Sequence, residues 1–582
     1  MKRHALCVAL FGLAVACTAP TNEDPTEARD HAGVVIYPAE TVITMEAGEI
    51  AGAVAVEENR IVAVGSRADL EGQFAGAQVD ESFIGKTIVP GLIDPHIHMA
   101  LSSLQYATPL TPPWPMATPD GMVRGLPDRA AFFQRLAEIE SDAPDGEPLI
   151  VYGFHNLVHG DLHKSDLDAV TEDRPLVIWH YSSHDFYLNS AALAWAGIDA
   201  SWHDEFEGVD LDENGDLTGR IYEDAIGALM RSIGPILLAP DRLSRGLDGF
   251  SGLLRSGGVT TVADLGYGIF TLPLENANIA GNWRSPEHSG YRLYLVPEHR
   301  AFDAAFGDDR VTNVLGMVSG EISTPAPVLP QVKFFTDAAY YSQTMRVSEP
   351  GYLSGQSEGT QGLWVMQPDE IAPTIQPYWD AGLAVRIHSN GDAAQAATLD
   401  ALAELRTSAP DRAFIFEHAG LFSPEQVRRA ADLDAGISAA SHYVFYLGEA
   451  YQSPLGPERG NWILPLASLS EAGVPVTLHS DAPLAPPLPL LAASVHMSRA
   501  TREGTELTPS EKLSAAEALE AITIDAAYAL GLEAEIGSIA PGKLADFTIL
   551  DANPLDASAE GWREIAVWGV VLDGEKRPLD PS

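Results

Sequence analysis

The chain has 582 residues, and its 35 Lys and Arg against 81 Asp and Glu give a formal net charge of −46. This length exceeds one compact core and predicts a large domain with additions, or several domains. Apolar residues make up 46% of the sequence and charged residues 20%, which excludes wholesale disorder. The acidic excess argues against nucleic acid as a partner and against electrostatic docking on anionic lipid, because both surfaces would repel it.

The first residues are typical of an export signal rather than of a folded domain. A short apolar run ends in LAVAC at residues 13–17, which resembles a bacterial lipobox. This predicts a lipoprotein signal peptide over 1–16, lipidation of Cys17 and a polar tether over 17–33. Because Thr18 follows the Cys in place of Asp, the usual sorting pattern implies anchoring to the outer membrane, facing the periplasm. An ordinary secretory signal with an incidental Cys is the alternative.

Both ends of the remaining chain carry short β-rich runs. Residues 34–87 contain VVIY, TVITM and AGAVAVEENRIVAVG, and residues 531–582 contain IGSIAPGKLADFTILD and IAVWGVVLDGEKR. Runs of this kind, punctuated by Gly and Asn, are typical of antiparallel strands. The two segments predict one small β-sandwich built from both chain ends.

Between them, over residues 88–530, eight apolar runs alternate with helical stretches. Continuous apolar runs suit parallel strands that are buried on both faces, and eight βα units predict an α/β fold of the (β/α)8 TIM-barrel type. About 160 residues separate the first two runs, so we expect an inserted subdomain over about 105–250. The runs lie at 87–98, 259–266, 291–296, 331–337, 383–388, 413–418, 436–442 and 474–481.

Potential metal ligands stand at the ends of four of these runs. His96 and His98 have i, i+2 spacing, which places both imidazoles on one face of a strand. His388 ends the fifth run, His418 the sixth and Asp481 the eighth. Imidazole and carboxylate ligands suit Zn²⁺ and similar divalent ions, and barrel enzymes place their chemistry at this end of the strands.

Lys333 lies inside the fourth run, in an apolar context where a free ammonium would be costly. A lysine carbamylated by CO₂ would instead be an anionic ligand able to bridge two metal ions. The alternative is an unmodified Lys333 beside a single metal ion.

The sequence VPGLIDPHIH at residues 89–98 resembles the first-strand signature of the amidohydrolase superfamily. The order HxH, Lys, His, His and Asp on strands 1, 4, 5, 6 and 8 resembles that of its binuclear branch. The segments VKFFTDA, HSNGDAA, EHAG and HSDAPLAPPLPL are similar to those of the YtcJ-like group, which includes N-substituted formamide deformylases. The resemblance covers about residues 34–580.

The resemblance implies two divalent metal ions, expected to be Zn²⁺. One would be bound by His96, His98 and Asp481, and the other by His388 and His418. Carbamylated Lys333 and a hydroxide would bridge them, and Asp481 would act as general base.

The implied reaction is hydrolysis of a C–N bond in a small-molecule amide, formamide or cyclic amide. Hydrolysis of an ester, lactone or dipeptide on the same site is the runner-up. A lipoprotein that only binds a ligand is the alternative from another class. Whether the protein forms a homo-oligomer stays open.

Residues near the predicted site are candidates for substrate contact. The segment after strand 4 contains Tyr340 and Tyr341 where the group has a Gly-rich stretch, which favours a bulkier or more apolar substrate. His184 matches a His of the group's insertion, and it could contact substrate or serve as a structural hydrogen-bond donor. His442 closes the seventh run and could hold a substrate oxyanion or orient another side chain.

Overall fold

The computed structural model of the chain describes residues 33–46, 50–144 and 146–579. The predicted signal peptide, most of the tether and Cys17 lie outside these residues. None of the helices in the described ranges is long and apolar enough to cross a membrane.

The amino-terminal part is mainly β-structure and leads directly into the first strand of the α/β region. Strand β5 is followed after one residue by β6, which carries the first predicted metal ligand. The elements are β1 (Val34–Ile43), β2 (Ile50–Glu57), β3 (Arg60–Gly65), α1 (Arg67–Gln73), β4 (Gln78–Val79), β5 (Thr87–Pro90), β6 (Leu92–Ile97) and α2 (Met99–Tyr106).

A long insertion follows α2, where the sequence predicts one. It contains a sheet of order β12-β13-β11-β10-β9, in which β9 and β10 are parallel and the other neighbours antiparallel. Its elements are β7 (Met116–Thr118), β8 (Gly121–Val123), α3 (Arg129–Asp142), β9 (Leu149–Phe154), α4 (Asn156–His159), α5 (Lys164–Asp168), β10 (Leu176–His180), β11 (Asp185–Leu188), α6 (Ser190–Ala196), α7 (Trp202–Glu205), β12 (Val209–Leu211), β13 (Leu217–Tyr222), α8 (Ile226–Leu237) and α9 (Pro240–Ser256).

Parallel strands and helices then alternate to residue 530. The strands are β14 (Val259–Tyr267), β15 (Arg292–Pro297), β16 (Gln331–Phe335), β17 (Ala384–Ser389), β18 (Phe414–His418), β19 (Gly436–Ala440) and β20 (Val476–His479). The helices are α10 (Leu272–Asn282), α11 (Pro286–Ser289), α12 (His299–Phe306), α13 (Arg310–Val318), α14 (Pro368–Asp380), α15 (Asp392–Leu405), α16 (Pro424–Asp432), α17 (Tyr443–Leu447), α18 (Gln452–Arg459), α19 (Leu466–Glu471), α20 (Pro489–Ser498), α21 (Ala515–Glu520) and α22 (Ile524–Leu530).

The parallel strands form two sheets, of order β15-β14-β6 and β16-β17-β18-β19-β20. Isolated parallel bridges pair Leu295 with Val328 and Glu298 with Lys333, between β15 and the region of β16. A further one pairs Ile97 with Ala482, between β6 and the end of β20. Each of the eight strands that the sequence predicts is thus present, and the continuous burial along β14 and β19 explains their apolar composition.

Strands from both chain ends share one sheet. The carboxyl-terminal elements are β21 (Phe547–Leu550), α23 (Ala559–Trp562), β22 (Val567–Leu572) and β23 (Glu575–Pro578). The sheet order is β23-β22-β21-β5-β1-β2-β3, with β4 on β1, so the antiparallel pairing of β5 and β21 joins the two ends. Because β5 runs straight into β6, this sheet also fixes the start of the first site-bearing strand.

Candidate metal centre and active-site cavity

His96 and His98 mark the end of β6. His96 is completely buried, and its Nε2 lies 3.4 Å from Asp481 Oδ1. His98 begins α2, and its Nε2 lies 3.1 Å from the same carboxylate oxygen. The i, i+2 spacing therefore brings both imidazoles to one carboxylate, as alternation along a strand requires.

Asp481 follows β20 and is held by backbone as well as side-chain contacts. Its φ of +55° is left-handed, a conformation that Asp adopts more readily than most residues. Its backbone N–H donates to the His96 carbonyl at 3.1 Å, which ties the end of β20 to β6. Burial alone would raise the pKa of this carboxyl, but the hydrogen bond and charge of His98 outweigh it and leave the pKa below its usual value. Asp481 is therefore ionised at neutral pH.

His388 and His418 approach the same point from β17 and β18. Nδ1 of His418 lies 3.6 Å from Asp481 Oδ2, and the His388 and His418 ring centroids are 4.5 Å apart. Burial lowers the pKa of the imidazoles of His96, His388 and His418 well below the usual value, and neighbouring positive groups lower it further. Neutral imidazoles are the form that binds a metal ion.

Lys333 projects from the middle of β16 and is completely buried. Its Nζ has no hydrogen-bond partner among the described residues and lies 5.0 Å from the Phe335 ring centroid. Burial lowers the pKa of this ammonium to about 8. A substantial fraction of the amine is therefore neutral under mildly alkaline conditions.

The donor set fits a divalent metal ion. In the described part of the chain, the ligand atoms of His96, His98 and Asp481 lie within 4.8 Å of one another, as do those of His96, His418 and His479. His96 Nε2 is buried and, like Lys333 Nζ, has no hydrogen-bond partner within the described ranges. An unpartnered buried acceptor is costly, and a bound cation would satisfy His96 Nε2, whereas Lys333 Nζ could face such an ion only after losing its proton.

A cavity of about 270 Å³ opens onto these residues. Polar groups of the site, including His98, Lys333 and Asp481, line it. The lining also contains apolar side chains of the insertion and of the segment after β14: Trp179, Phe186, Ile226, Met230, Leu237, Ile269 and Phe270. The candidate metal ligands and a largely apolar surface therefore share one cavity.

Residues 84–576 match the amidohydrolase family. The chain belongs to this family. It is thereby a hydrolase that acts on carbon–nitrogen bonds other than peptide bonds, as the sequence predicts.

Individual relatives of this amidohydrolase span almost its full length. It is 27% identical over 549 residues to the N-substituted formamide deformylase of Arthrobacter pascens, covering 90% of this chain and 95% of that protein. It is 26% identical over 546 residues to the putative amidohydrolase YtcJ of Bacillus subtilis (strain 168), covering 91% and 96%. An uncharacterized metal-dependent hydrolase from Pyrococcus horikoshii OT3 shares the fold, with a TM-score of 0.67, 20% identity and coverage of 90% and 99%.

Of the residues that the sequence predicts to contact substrate, two line the cavity and two do not. His184 and Tyr341 line it. His184 also faces Glu223, with Nδ1 3.2 Å from the carboxylate; burial lowers the pKa of the imidazole, but the Glu223 charge outweighs burial and raises it. The Glu223 carboxylate thus favours the protonated form of His184 at the cavity wall.

Tyr340 and His442 lie away from the cavity lining. The Tyr340 ring stacks on Tyr443 at 3.9 Å between centroids, so it supports a ring that does line the cavity. His442 Nδ1 lies 2.8 Å from Ser441 Oγ, and burial lowers the pKa of this imidazole to about 3. Direct substrate contact by Tyr340 or His442 stays a prediction, and their absence from the cavity lining does not support it.

Two further residues of the site, His479 and Glu417, were not predicted from the sequence. His479 Nε2 lies 3.1 Å from His418 Nδ1, and Glu417 Oε2 lies 2.7 Å from His96 Nδ1. His479 and Asp481 repeat the i, i+2 spacing of His96 and His98, which is a signal that could have indicated His479. Glu417 offered no such signal, because neighbours in a strand normally face opposite sides.

Proposed function

We propose that this amidohydrolase cleaves an amide, formamide or cyclic amide with the help of two divalent metal ions, expected to be Zn²⁺. The observation that carries the proposal is the convergence of His96, His98, His388, His418 and Asp481 around the buried amine of Lys333. A module that only binds a ligand has no need to assemble neutral imidazoles and an ionised carboxylate at one point.

We infer that the eight parallel strands close into a (β/α)8 barrel around this site. The bridges near β15 and β16, and between β6 and the residues after β20, support closure at the two gaps between the sheets. The shared sheet of the two chain ends supports the accessory β-sandwich. A closed barrel would place every ligand at the carboxyl ends of its strands, where such enzymes carry their chemistry.

We assign the residues to the two ions as the resemblance implies. His96, His98 and Asp481 would hold one ion, and His388 and His418 the other. The Lys333 amine would react with CO₂, forming an N–C bond and releasing a proton, and the resulting carbamate would contact both ions. Its unpartnered Nζ and lowered pKa support this, because only the neutral amine attacks CO₂. Such ions lower the pKa of bound water and polarise a substrate carbonyl.

Asp481 is positioned to move the proton of the reaction. Its carboxylate is ionised, lines the cavity and lies 3.1 Å from His98 Nε2. It would accept a proton from the attacking water and pass it to the leaving nitrogen, which must be protonated to depart as an amine.

The apolar lining of the cavity favours an amide with a large apolar substituent. The scissile bond would lie beside Asp481, and the substituent would contact apolar lining residues such as Trp179, Phe186 and Phe270. An N-substituted formamide would meet this requirement, as the name of the Arthrobacter pascens relative suggests.

We also propose that the protein is exported and anchored to the outer membrane through acylated Cys17, with the enzyme domain facing the periplasm. The lipobox resemblance of residues 13–17 supports this, and no other contact with a membrane is proposed.

The experiment is metal analysis of purified protein together with a substrate screen of Zn²⁺- and Mn²⁺-loaded enzyme. We expect about two ions per chain and hydrolysis of N-substituted formamides or amides with apolar substituents. Asp481→Asn should lower kcat roughly 10²–10⁴-fold, the usual contribution of general acid–base catalysis. Near-zero bound metal, or an unchanged kcat in Asp481→Asn, would falsify the proposal. Turnover of esters or lactones alone would favour the runner-up reaction.

A further inference from the structure

A buried ion pair contacts His96. The side chains of Arg386 and Glu417 are both fully buried. Nε of Arg386 donates to Glu417 Oε1, and the other carboxylate oxygen, Oε2, lies 2.7 Å from His96 Nδ1. Neither Arg386 nor Glu417 lines the cavity. Two buried charges are costly to desolvate, so an ion pair at this position calls for a functional explanation.

The contacts of Glu417 determine which nitrogen of His96 carries its hydrogen. A carboxylate only accepts hydrogen bonds, so His96 Nδ1 must be the donor at 2.7 Å. The other nitrogen, Nε2, then faces the Asp481 carboxylate at 3.4 Å and has no hydrogen-bond partner in the part of the chain that the structure describes. Nε2 is therefore the nitrogen left free to bind an ion.

Arg386 in turn requires a hydrogen-bond acceptor at residue 417. Besides Glu417, the guanidinium donates to the Pro95 and Ala529 carbonyls at 3.3 and 3.1 Å and to Gln331 Oε1 at 3.2 Å. These acceptors hold its plane in place, so the atom of residue 417 that faces Nε of Arg386 must be an acceptor. The orientation is thus set by groups that are remote from substrate.

We propose that Glu417 and Arg386 are positioning residues that lock His96 in the tautomer with hydrogen on Nδ1, so that Nε2 is always presented to the metal ion. The inference rests on the proposed function, because it assigns a role toward an ion bound by His96. It predicts that metal affinity depends on the direction of the hydrogen bond between residue 417 and His96 Nδ1, rather than on the volume of the side chain at position 417.

Glu417→Gln tests this with almost no change in shape. Arg386 requires an acceptor, so the new amide must turn its oxygen to the guanidinium and its NH₂ group to His96 Nδ1. Nδ1 must then accept, and the imidazole hydrogen moves to Nε2, where it blocks metal binding. We expect Zn²⁺ affinity, measured by competition with a chromophoric chelator, to fall by the roughly 10–100-fold typical of lost outer partners.

The double variant Arg386→Met with Glu417→Gln is the matched rescue. Without the guanidinium the amide is free to turn its oxygen to His96 Nδ1, which restores the original tautomer. Replacing both charges also avoids leaving one of them buried without a partner. We expect its Zn²⁺ affinity to lie within about tenfold of the wild type. Glu71→Gln serves as the control, because it makes the same chemical change at an exposed carboxylate that pairs with Arg67 and leaves Glu417 and His96 untouched.

Each variant tests the inference separately. Far-UV circular dichroism establishes that the variant is folded, and X-ray absorption counts the imidazoles bound to the ion. Wild-type affinity in folded Glu417→Gln would overturn the inference, as would a folded double variant that loses more than about tenfold and so shows no rescue. One imidazole fewer around Zn²⁺ in Glu417→Gln supports it. If the wild type itself binds no Zn²⁺, the proposed function fails; if it binds and Glu417→Gln binds equally, the positioning role alone fails.

Discussion

The most unusual single residue is Lys333, a buried amine in the middle of a strand. The side chain is fully buried, and burial lowers its pKa to about 8, so the amine loses its proton more readily than that of an exposed lysine. In an acidic chain that is poor in lysine, a lysine at this place is best explained by a chemical role.

Lys333→Ala should therefore lose more metal affinity than the roughly 10–100-fold typical of an outer partner, and activity with it, because the anionic ligand is removed. A short carboxylate such as acetate or propionate fits the vacated space and should partly restore both. Metal content and turnover with and without added carboxylate provide the measurement. Lys512→Ala, at the partly exposed Lys512–Glu506 pair, is the control and should behave as wild type. Unchanged metal content in Lys333→Ala would remove this residue from the site.

At the scale of residues, the sequence pattern indicated candidate ligands at the ends of regular strands, but it gave no indication where the backbone departs from a regular strand. Alternation along one strand indicated that His96 and His98 share a face, and Asp481 was indicated by its position at the end of the eighth apolar run. Glu417 and His418 are adjacent and would face opposite sides of a regular strand, but His418 has a left-handed φ of +68°. That local turn, which no periodicity encodes, brings both side chains to the same centre.

At the scale of elements, the segment after β14 connects a site residue to the cavity wall. Asp264 accepts from the Gly266 backbone N–H at 2.9 Å, and its Oδ1 lies 3.9 Å from His98 Nδ1. Gly266 leaves room for His98, since a Cβ there would lie 2.6 Å from Nδ1. Glu275 then fixes the following residues by accepting from the Gly268 and Phe270 backbone N–H groups, each at 2.7 Å.

Glu275 should make this segment sensitive to pH. Burial, with a smaller contribution from Asp264, raises the pKa of its carboxyl from 4.5 to about 8. Because the folded state holds the proton more tightly than the unfolded chain, its contribution to stability is complete below about pH 4.5 and is lost as the pH rises toward 8. Each pKa unit corresponds to about 1.4 kcal/mol, so the free energy of unfolding should fall by a few kcal/mol across this range.

Glu275→Gln cannot ionise, so the decrease in Tm between pH 5 and pH 8 should be smaller than in the wild type. Thermal unfolding at a series of pH values gives the comparison. The exposed carboxylate of Glu71, which pairs with Arg67, provides the control variant Glu71→Gln, whose pH dependence should match the wild type. Parallel pH profiles for Glu275→Gln and the wild type would contradict this role of Glu275.

The order of strands and helices was readable from apolar runs because parallel strands buried on both faces leave a strong signal. Element ends were less predictable: the seventh run was expected to reach His442, but β19 ends at Ala440 and His442 precedes α17. The inner order of the insertion, β12-β13-β11-β10-β9, was also beyond prediction. Short strands that pair across hairpins carry little periodicity, and their partners are chosen by packing.

At the scale of the whole molecule, the insertion and the α/β region share one active site. Tyr181 of the insertion donates to the Leu484 carbonyl, just after Asp481, and Trp114 donates to the Tyr181 hydroxyl at 3.0 Å. The Trp114 ring also stacks on Tyr446, with 4.4 Å between centroids. The part of the cavity wall that the insertion supplies is therefore attached to the loop after Asp481, although Tyr181 and Leu484 lie 303 positions apart in the sequence.

We attribute the net negative charge to the surface of the protein and to the environment in which it works, and not to the reaction. Cleavage before Cys17 would remove Lys2 and Arg3, so the mature chain would carry 33 − 81 = −48. Such a chain would be repelled by anionic lipid, and a covalent lipid anchor is the way it could remain at a membrane. The proposed location at the outer membrane therefore depends on the lipid anchor.

Cys17→Ser should therefore abolish both lipid attachment and lipoprotein processing. In a bacterial host fed an alkyne-tagged fatty acid, the wild type should incorporate label and fractionate with outer membranes. The variant should lose the label and retain its first 16 residues, since the processing that precedes the Cys depends on its modification. Cys7→Ser is the matched control, because Cys7 lies within the segment that is removed, and it should be processed like the wild type. An unlabelled wild type with a Cys17→Ser variant that is still shortened would show that residues 1–16 are an ordinary secretory signal, and the protein would then be free in the periplasm.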